Sequence, residues 1–156
     1  MSDLARMTAA PLSLEIHGKS YPFRPMDFRM IGEFEAFAMR KYLDDVERVL
    51  DHSKANDAWK EKRRQDAALL AERLRFNVTP EEDAAAHRIM DRLVSSLEGV
   101  TTLAWLAIRD DTGNPTREAI GGAMADEALK RRAIRAFNEI NGNSNEKKAA
   151  PGAASP

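Results

Sequence analysis

The chain has 156 residues, which is long enough for one domain with a real hydrophobic core. Apolar residues make up 43% of it and charged residues 31%, a balance typical of a globular protein, and 24 basic against 25 acidic residues leave a net charge of −1. That balance excludes a general field attracting nucleic acid or an anionic membrane, and the absence of cysteine excludes disulfides and thiolate sites.

The chain begins with a predicted β-hairpin. Residues 1–11 have one Arg and no apolar core, so we expect a flexible leader and not a signal peptide. Apolar and polar residues then alternate over 12–16, the pattern of a half-buried strand, and a glycine-containing turn over 17–20 follows. Alternation resumes around Pro22, which lacks a donor and suits an edge strand. The sequence therefore predicts a hairpin over 12–24.

The strongest periodic signal lies in a helix predicted over about 27–51. Asp27 can cap its first turn by accepting a hydrogen bond from a free amide. Six apolar residues recur at intervals of three and four and stay on one face over about five turns. These residues are Ile31, Phe34, Ala38, Tyr42, Val46 and Val49. The sequence therefore predicts a helix with one continuous apolar face.

A second helix is predicted over about 57–76, and it carries an unusual tryptophan. Charged residues surround Trp59, and an exposed tryptophan often marks a contact surface. The alternative is that the ring folds back onto the first helix. Trp105, inside the apolar stretch 100–108, is expected in the core.

Two longer helical segments follow. The first, over about 80–110, starts at a Thr79–Glu82 capping box, and Gly99 permits a bend within it. The second, over about 115–140, is expected to break at Gly121–Gly122 into a short and a long piece. Residues 143–156 are polar and small, which predicts a disordered tail behind a single domain over 12–142. The predicted fold class is mainly α with a small N-terminal β-hairpin.

The sequence shows no recognisable catalytic site. His17, His52 and His87 lack the paired spacing of metal ligands, so no metal and no cofactor are expected. No nucleophile, base and oxyanion donor combine, which predicts a protein that is not an enzyme. The basic clusters at 60–64 and 130–135 have acidic neighbours and predict solvated faces. The candidate partner-contact residues are Phe28, Tyr42, Trp59, Arg63 and Arg64.

Two segments resemble a known family. Residues 14–28 have the order strand, turn, strand, followed by Arg-Pro-x-Asp at the start of a helix. Residues 99–109 have a small-residue step before Leu-x-Trp-Leu-Ala, and residues 116–142 add a threonine-started helix and a last amphipathic helix. In these segments, about half the chain, the sequence resembles the tail assembly chaperones of long-tailed bacteriophages.

The resemblance implies a non-enzymatic chaperone in the host cytoplasm. It would bind and solubilise the tape measure protein and help to recruit tail tube subunits, and its self-association is left open. The family supplies no catalytic residues to carry over. Two other classes stay open: a structural virion protein such as a head–tail connector or completion protein, and a small nucleic-acid-binding regulator. No contact with a membrane is expected, and nucleic acid is not an expected partner.

Overall fold

A computed structural model describes residues 13–141, which form a β-hairpin followed by helices. The strands are β1 (Ser13–Ile16) and β2 (Lys19–Pro22). The helices are α1 (Phe28–Asp51), α2 (Asp57–Ala71), α3 (Ala84–Ser95), α4 (Leu97–Ile108), α5 (Arg117–Met124) and α6 (Glu127–Ile140). The predicted fold class, mainly α with an N-terminal hairpin, is confirmed. The predicted leader over 1–11 and disordered tail over 143–156 lie outside the described residues.

The hairpin is tighter than the sequence predicts. Its strands pair antiparallel with Ile16 opposite Lys19, so the turn is only two residues long and Lys19 already belongs to β2. His17 and Gly18 have φ angles of 51° and 75°. Positive φ at both central residues defines the turn type whose twist matches that of paired strands. Leu14 and Ile16 point to the buried face, as the alternation predicts.

The chain divides into two compact units, and one of them combines residues 13–26 with residues 104–141. In this unit α6 packs against β1, and Phe23, Leu106 and Phe137 are buried. The segment after β2 is held by its backbone, because the Arg24 amide donates to the Ala107 carbonyl at 3.0 Å. The Met26 amide donates to the side-chain oxygen of Asn141 at 2.9 Å.

The other unit comprises residues 27–103, in which α1 packs against α2 and α3. Phe34 is fully buried at its centre, with the rings of Phe37 and Phe76 at centroid distances of 5.6 Å and 5.5 Å. The Phe76 amide donates to the Glu35 carboxylate at 3.0 Å, which ties the segment after α2 to α1. The prediction of a single domain over 12–142 stays a prediction.

The helix predicted over 80–110 is two helices, and it starts later. Thr79 and Glu82 form the reciprocal bonds of a capping box at 3.0 and 3.3 Å, but these bonds close a turn, and α3 begins after Asp83. Ser96 has an extended backbone that ends α3, and its hydroxyl accepts from the Gly99 amide at 3.0 Å in the first turn of α4. The break therefore lies at Ser96 and not at Gly99.

The remaining boundaries also differ from the prediction. Helix α2 ends at Ala71, five residues before the predicted end at 76. The segment predicted over 115–140 is a short helix and a long one, as expected, but Gly121 and Gly122 lie inside α5. The two helices are separated by Ala125 and Asp126, and the Asp126 carboxylate accepts from the Leu129 amide at 3.0 Å and caps α6. The capping side chain, not the glycine pair, starts the new helix.

Candidate functional site

An open apolar groove of about 290 Å³ lies within the unit 27–103, where α1, α2 and α3 come together. Its lining comprises seven apolar or aromatic side chains and three charged ones. They are Tyr42, Asp45, Val46, Val49 and Leu50 of α1, Trp59 and Arg63 of α2, and Ile89, Arg92 and Leu93 of α3.

The groove has a buried floor and exposed walls. Leu50 and Leu93 are buried, while Val49 is 68% exposed and the Trp59 ring is 43% exposed. Isolated exposed hydrophobic residues are normal on protein surfaces, but a contiguous set that converges on one concavity indicates a binding site. Binding of a partner that covers these apolar walls is therefore favourable, because it removes apolar surface from water.

The groove exists because α1 changes neighbours along its length. In its first half the predicted apolar face is in the core, with Phe34 and Ala38 buried. In its second half Tyr42 and Val46 are only half-buried, and Val49 is exposed although it continues the same apolar face. Helix α2 buries only small side chains of its C-terminal half, and its first turns are polar. It therefore has little apolar surface with which to cover the end of α1.

Trp59 is the main apolar side chain that the first turn of α2 contributes. The turn is fixed by Asn56, whose side-chain oxygen accepts from the Trp59 amide at 2.9 Å. One turn later, the guanidinium of Arg63 lies 5.5 Å from the centre of the indole ring, within the range of a cation–π contact. Trp59 lines the groove with residues of α1 and remains exposed, so the ring is not buried against the first helix. Its role in a contact surface stays a prediction.

Of the three charged residues that line the groove, the acidic one has ion-pair partners and the two basic ones have none among the described residues. Asp45 has cationic partners of its own, Lys41 at 2.7 Å and Arg48 at 3.9 Å. The hydrogen bond from Lys41 to Asp45 raises the pKa of the lysine, and the nearby carboxylate of Glu98 acts in the same direction. Within residues 13–141, neither Arg63 nor Arg92 forms an ion pair. The rim therefore carries two cations without a carboxylate partner in the described structure.

The structure brings together three of the five predicted partner-contact residues, because Tyr42, Trp59 and Arg63 all line the groove. Arg64 faces Glu47 and donates to it at 2.7 Å. Phe28, the first residue of α1, is 94% exposed but does not line the groove.

The other seven residues of the groove were not among the candidates that the sequence offered. They are Asp45, Val46, Val49, Leu50, Ile89, Arg92 and Leu93. The available signal was the mismatch between a continuous apolar face on α1 and the polar first turns of α2. Such a mismatch predicts that part of the face has no cover.

Over residues 13–141, no three His, Asp or Glu side chains converge in a way that could hold a metal ion. Two histidines contact nearby carbonyl oxygens instead, His52 that of Arg48 at 2.8 Å and His87 that of Val78 at 2.9 Å. None of the helices between residues 13 and 141 is both long and apolar enough to cross a membrane.

Ion pairs interrupt both basic clusters. In the first, Lys62 pairs with Asp66 at 3.7 Å and Arg64 with Glu47 at 2.7 Å. In the second, Glu127 binds Lys130 at 2.9 Å and Arg131 at 3.5 Å, and these cations lower the pKa of the Glu127 carboxyl. Paired cations contribute less to an attractive field for phosphates than free ones do.

No family model matches the chain, and none of the curated proteins or solved structures matches it either.

Proposed function

We propose that this protein is a phage tail assembly chaperone that binds and solubilises the tape measure protein and helps to recruit tail tube subunits in the host cytoplasm. Two considerations support the proposal. One is the resemblance of residues 14–28, 99–109 and 116–142 to that family. The other, which carries the proposal, is the apolar groove whose wall residues Val49 and Trp59 stay exposed above a buried floor.

The groove suits the physical task of such a chaperone. A long helical protein exposes an apolar stripe before it is assembled, and an amphipathic groove can cover part of that stripe. Three helices supply the lining, and the exposed side chains of Val49 and Trp59 are available to contact such a stripe. Weak contacts at the groove of each chaperone copy would favour its dissociation from the tape measure protein. Affinity differences among related complexes lie mainly in the dissociation rate.

Co-expression tests the proposal directly. The tape measure protein of the phage that encodes this chain would be expressed with and without it, and the fraction of tape measure protein in the supernatant would be measured. We expect the supernatant fraction to rise several-fold with the chain present. An equal fraction in both cases contradicts the proposal.

A matched pair of variants links the effect to the groove. Trp59→Ala removes a groove wall, whereas Leu69→Ala removes a side chain of α2 that is 63% exposed and does not line the groove. We expect the first variant to lose most of the solubilising effect and the second to retain it. Circular dichroism of both variants checks that α2 still forms.

Purified virions distinguish the proposed chaperone from a structural virion protein. A chaperone leaves before the tail matures, so mass spectrometry should find the chain absent or far below stoichiometric amounts. Its presence at the copy number of a ring would assign it to the head–tail connector or completion class instead. The ion pairs within both basic clusters argue against the nucleic-acid-binding alternative.

A further inference from the structure

We infer that the groove recognises an amphipathic helix whose apolar stripe is flanked by acidic residues, with Trp59 as the apolar anchor and Arg63 and Arg92 as the charge-reading residues. This inference rests on the proposed function, because it specifies what the groove selects in its partner.

The charge distribution around the groove carries the inference. A chain with a net charge of −1 has no overall attraction for acidic partners, so any preference must be local. Asp45 is satisfied by Lys41 and Arg48, whereas Arg63 and Arg92 have no ion-pair partner within the described range 13–141. A carboxylate brought beside the apolar floor would meet these two cations, while an incoming lysine would meet like charges.

Arginine is well suited to this position. Its guanidinium can stack on an aromatic face and still offer several donors to a carboxylate. The guanidinium of Arg63 already lies 5.5 Å from the centre of the Trp59 ring. An acidic side chain that pairs with Arg63 would therefore be held next to the apolar contact made by the indole ring.

The walls select a helix over an extended strand. An added strand needs free backbone donors and acceptors, which only a sheet edge offers. Every residue that lines the groove belongs to α1, α2 or α3, so the groove offers no sheet edge. An incoming helix satisfies its own backbone hydrogen bonds and offers side chains at intervals of three and four.

Three synthetic peptides test the preference on the full chain. Each is an amphipathic helix of about 18 residues, or five turns, with the same apolar stripe, and only the flanking residues change from Glu to Gln to Lys. Fluorescence anisotropy of labelled peptide gives the dissociation constants. We expect the Glu peptide to bind about tenfold more tightly than the Gln peptide, the Lys peptide to bind most weakly, and the differences to shrink as salt is raised.

Charge reversal assigns the preference to the two arginines. In the double variant Arg63→Glu/Arg92→Glu the order of affinities should invert, so that the Lys peptide binds most tightly and the Glu peptide most weakly. The control Lys54→Glu/Arg88→Glu makes the same change in net charge at exposed residues that do not line the groove, and it should keep the original order. Should the reversed variant fail to fold, Arg63→Gln/Arg92→Gln serves instead, and it should bind the three peptides equally.

Equal binding of all peptides by the natural chain, or an unchanged order in the groove variant, overturns the inference. If the peptides show no charge preference but Trp59→Ala still abolishes solubilisation of the tape measure protein, the proposed function is supported and only the inference about charge fails. If the acidic peptide is preferred but the tape measure protein is not solubilised, the groove serves another acidic helix. Sedimentation that shows a dimer dissociated by Trp59→Ala would assign the groove to a second copy and overturn the inference as well.

Discussion

The guanidinium of Arg64 donates two hydrogen bonds to the carboxylate of Glu47, from Nε at 2.7 Å and from Nη2 at 3.3 Å. The pair joins α2 to α1, the two helices that bring Trp59 and Tyr42 to the groove. The bidentate geometry fixes the relative orientation of the two side chains more closely than a single hydrogen bond would. The contact raises the pKa of Arg64, mainly through the side-chain hydrogen bond. Arg64 thus supports the groove from outside it.

The first prediction separates this supporting role from partner contact. Arg64→Gln and Glu47→Gln should each lower the urea midpoint modestly, and the double variant should lower it by less than the sum, because either change alone already breaks the pair. The loss should shrink at high salt, since both side chains are partly exposed. Peptide affinity at the groove should stay near that of the natural chain, and a large drop in affinity at unchanged stability would make Arg64 a contact residue.

Sequence patterns predicted the fold class because the strongest determinants are local. The alternation around Leu14 and Ile16, the Asp27 cap and the apolar spacing around Phe34 each depend only on near neighbours in the chain. The exact breaks were harder to predict. Thr79 and Asp83 lie four residues apart, and both are good N-cap residues. In the structure α3 starts at Asp83, which also forms an ion pair with Arg73 at 2.8 Å. That partner comes from a segment whose position only the folded structure shows.

Only part of the groove could be predicted from the sequence, because the rest depends on tertiary packing. Trp59 and Tyr42 were candidates because of their residue types, but periodicity cannot distinguish an apolar face that is covered from one that is not. Whether Val49 is buried depends on what α2 brings against it, which is a tertiary property. The unpaired state of Arg92 also emerges only when the neighbours of α3 are known.

The second prediction concerns the close approach at Gly99. A Cβ built at this residue would lie 1.8 Å from the carbonyl oxygen of Leu93 and 2.8 Å from its carbonyl carbon, both backbone atoms that cannot move independently. Gly99→Ala should therefore destabilise the protein by about 3 kcal/mol or more. Urea denaturation followed by circular dichroism measures the change.

Gly32→Ala is the matched control for that substitution. Gly32 lies within α1, and a Cβ there would meet no atom within 4 Å. Alanine should stabilise the helix by about 0.5–1 kcal/mol, since it has less conformational entropy to lose. Similar effects of the two substitutions would contradict the close contact between Gly99 and the end of α3.

The third prediction tests which of two residues starts α3. The Asp83 carboxylate accepts from the Ala86 amide at 3.0 Å and also pairs with Arg73. Asp83→Ala should cost about 1–2 kcal/mol, as the loss of an N-cap does. Thr79→Ala opens only a solvent-exposed turn and should cost less than about 0.5 kcal/mol. Thermal melts of the two variants measure the order, and a larger loss for the threonine variant would place the helix start at the capping box.

The loop after α4 provides a prediction about pH. The Asp110 carboxylate accepts from the hydroxyl of Thr112 at 2.6 Å and from the amides of Thr112 and Asn114 at 2.9 and 3.1 Å. These hydrogen bonds, the one from the hydroxyl foremost, hold the pKa of Asp110 below its ordinary value of 3.8. A lowered carboxyl pKa in the folded state means that the contribution to stability is fully present above about pH 4, and it is lost as the pH falls through the folded pKa.

Thr112→Val should raise the pKa of Asp110 toward 3.8 in an NMR titration of its side chain. The control Thr116→Val, which removes a hydroxyl that caps α5, should leave the pKa of Asp110 unchanged. An Asp110 pKa at or above 3.8 in the natural chain would mean that the loop does not hold this carboxylate in solution.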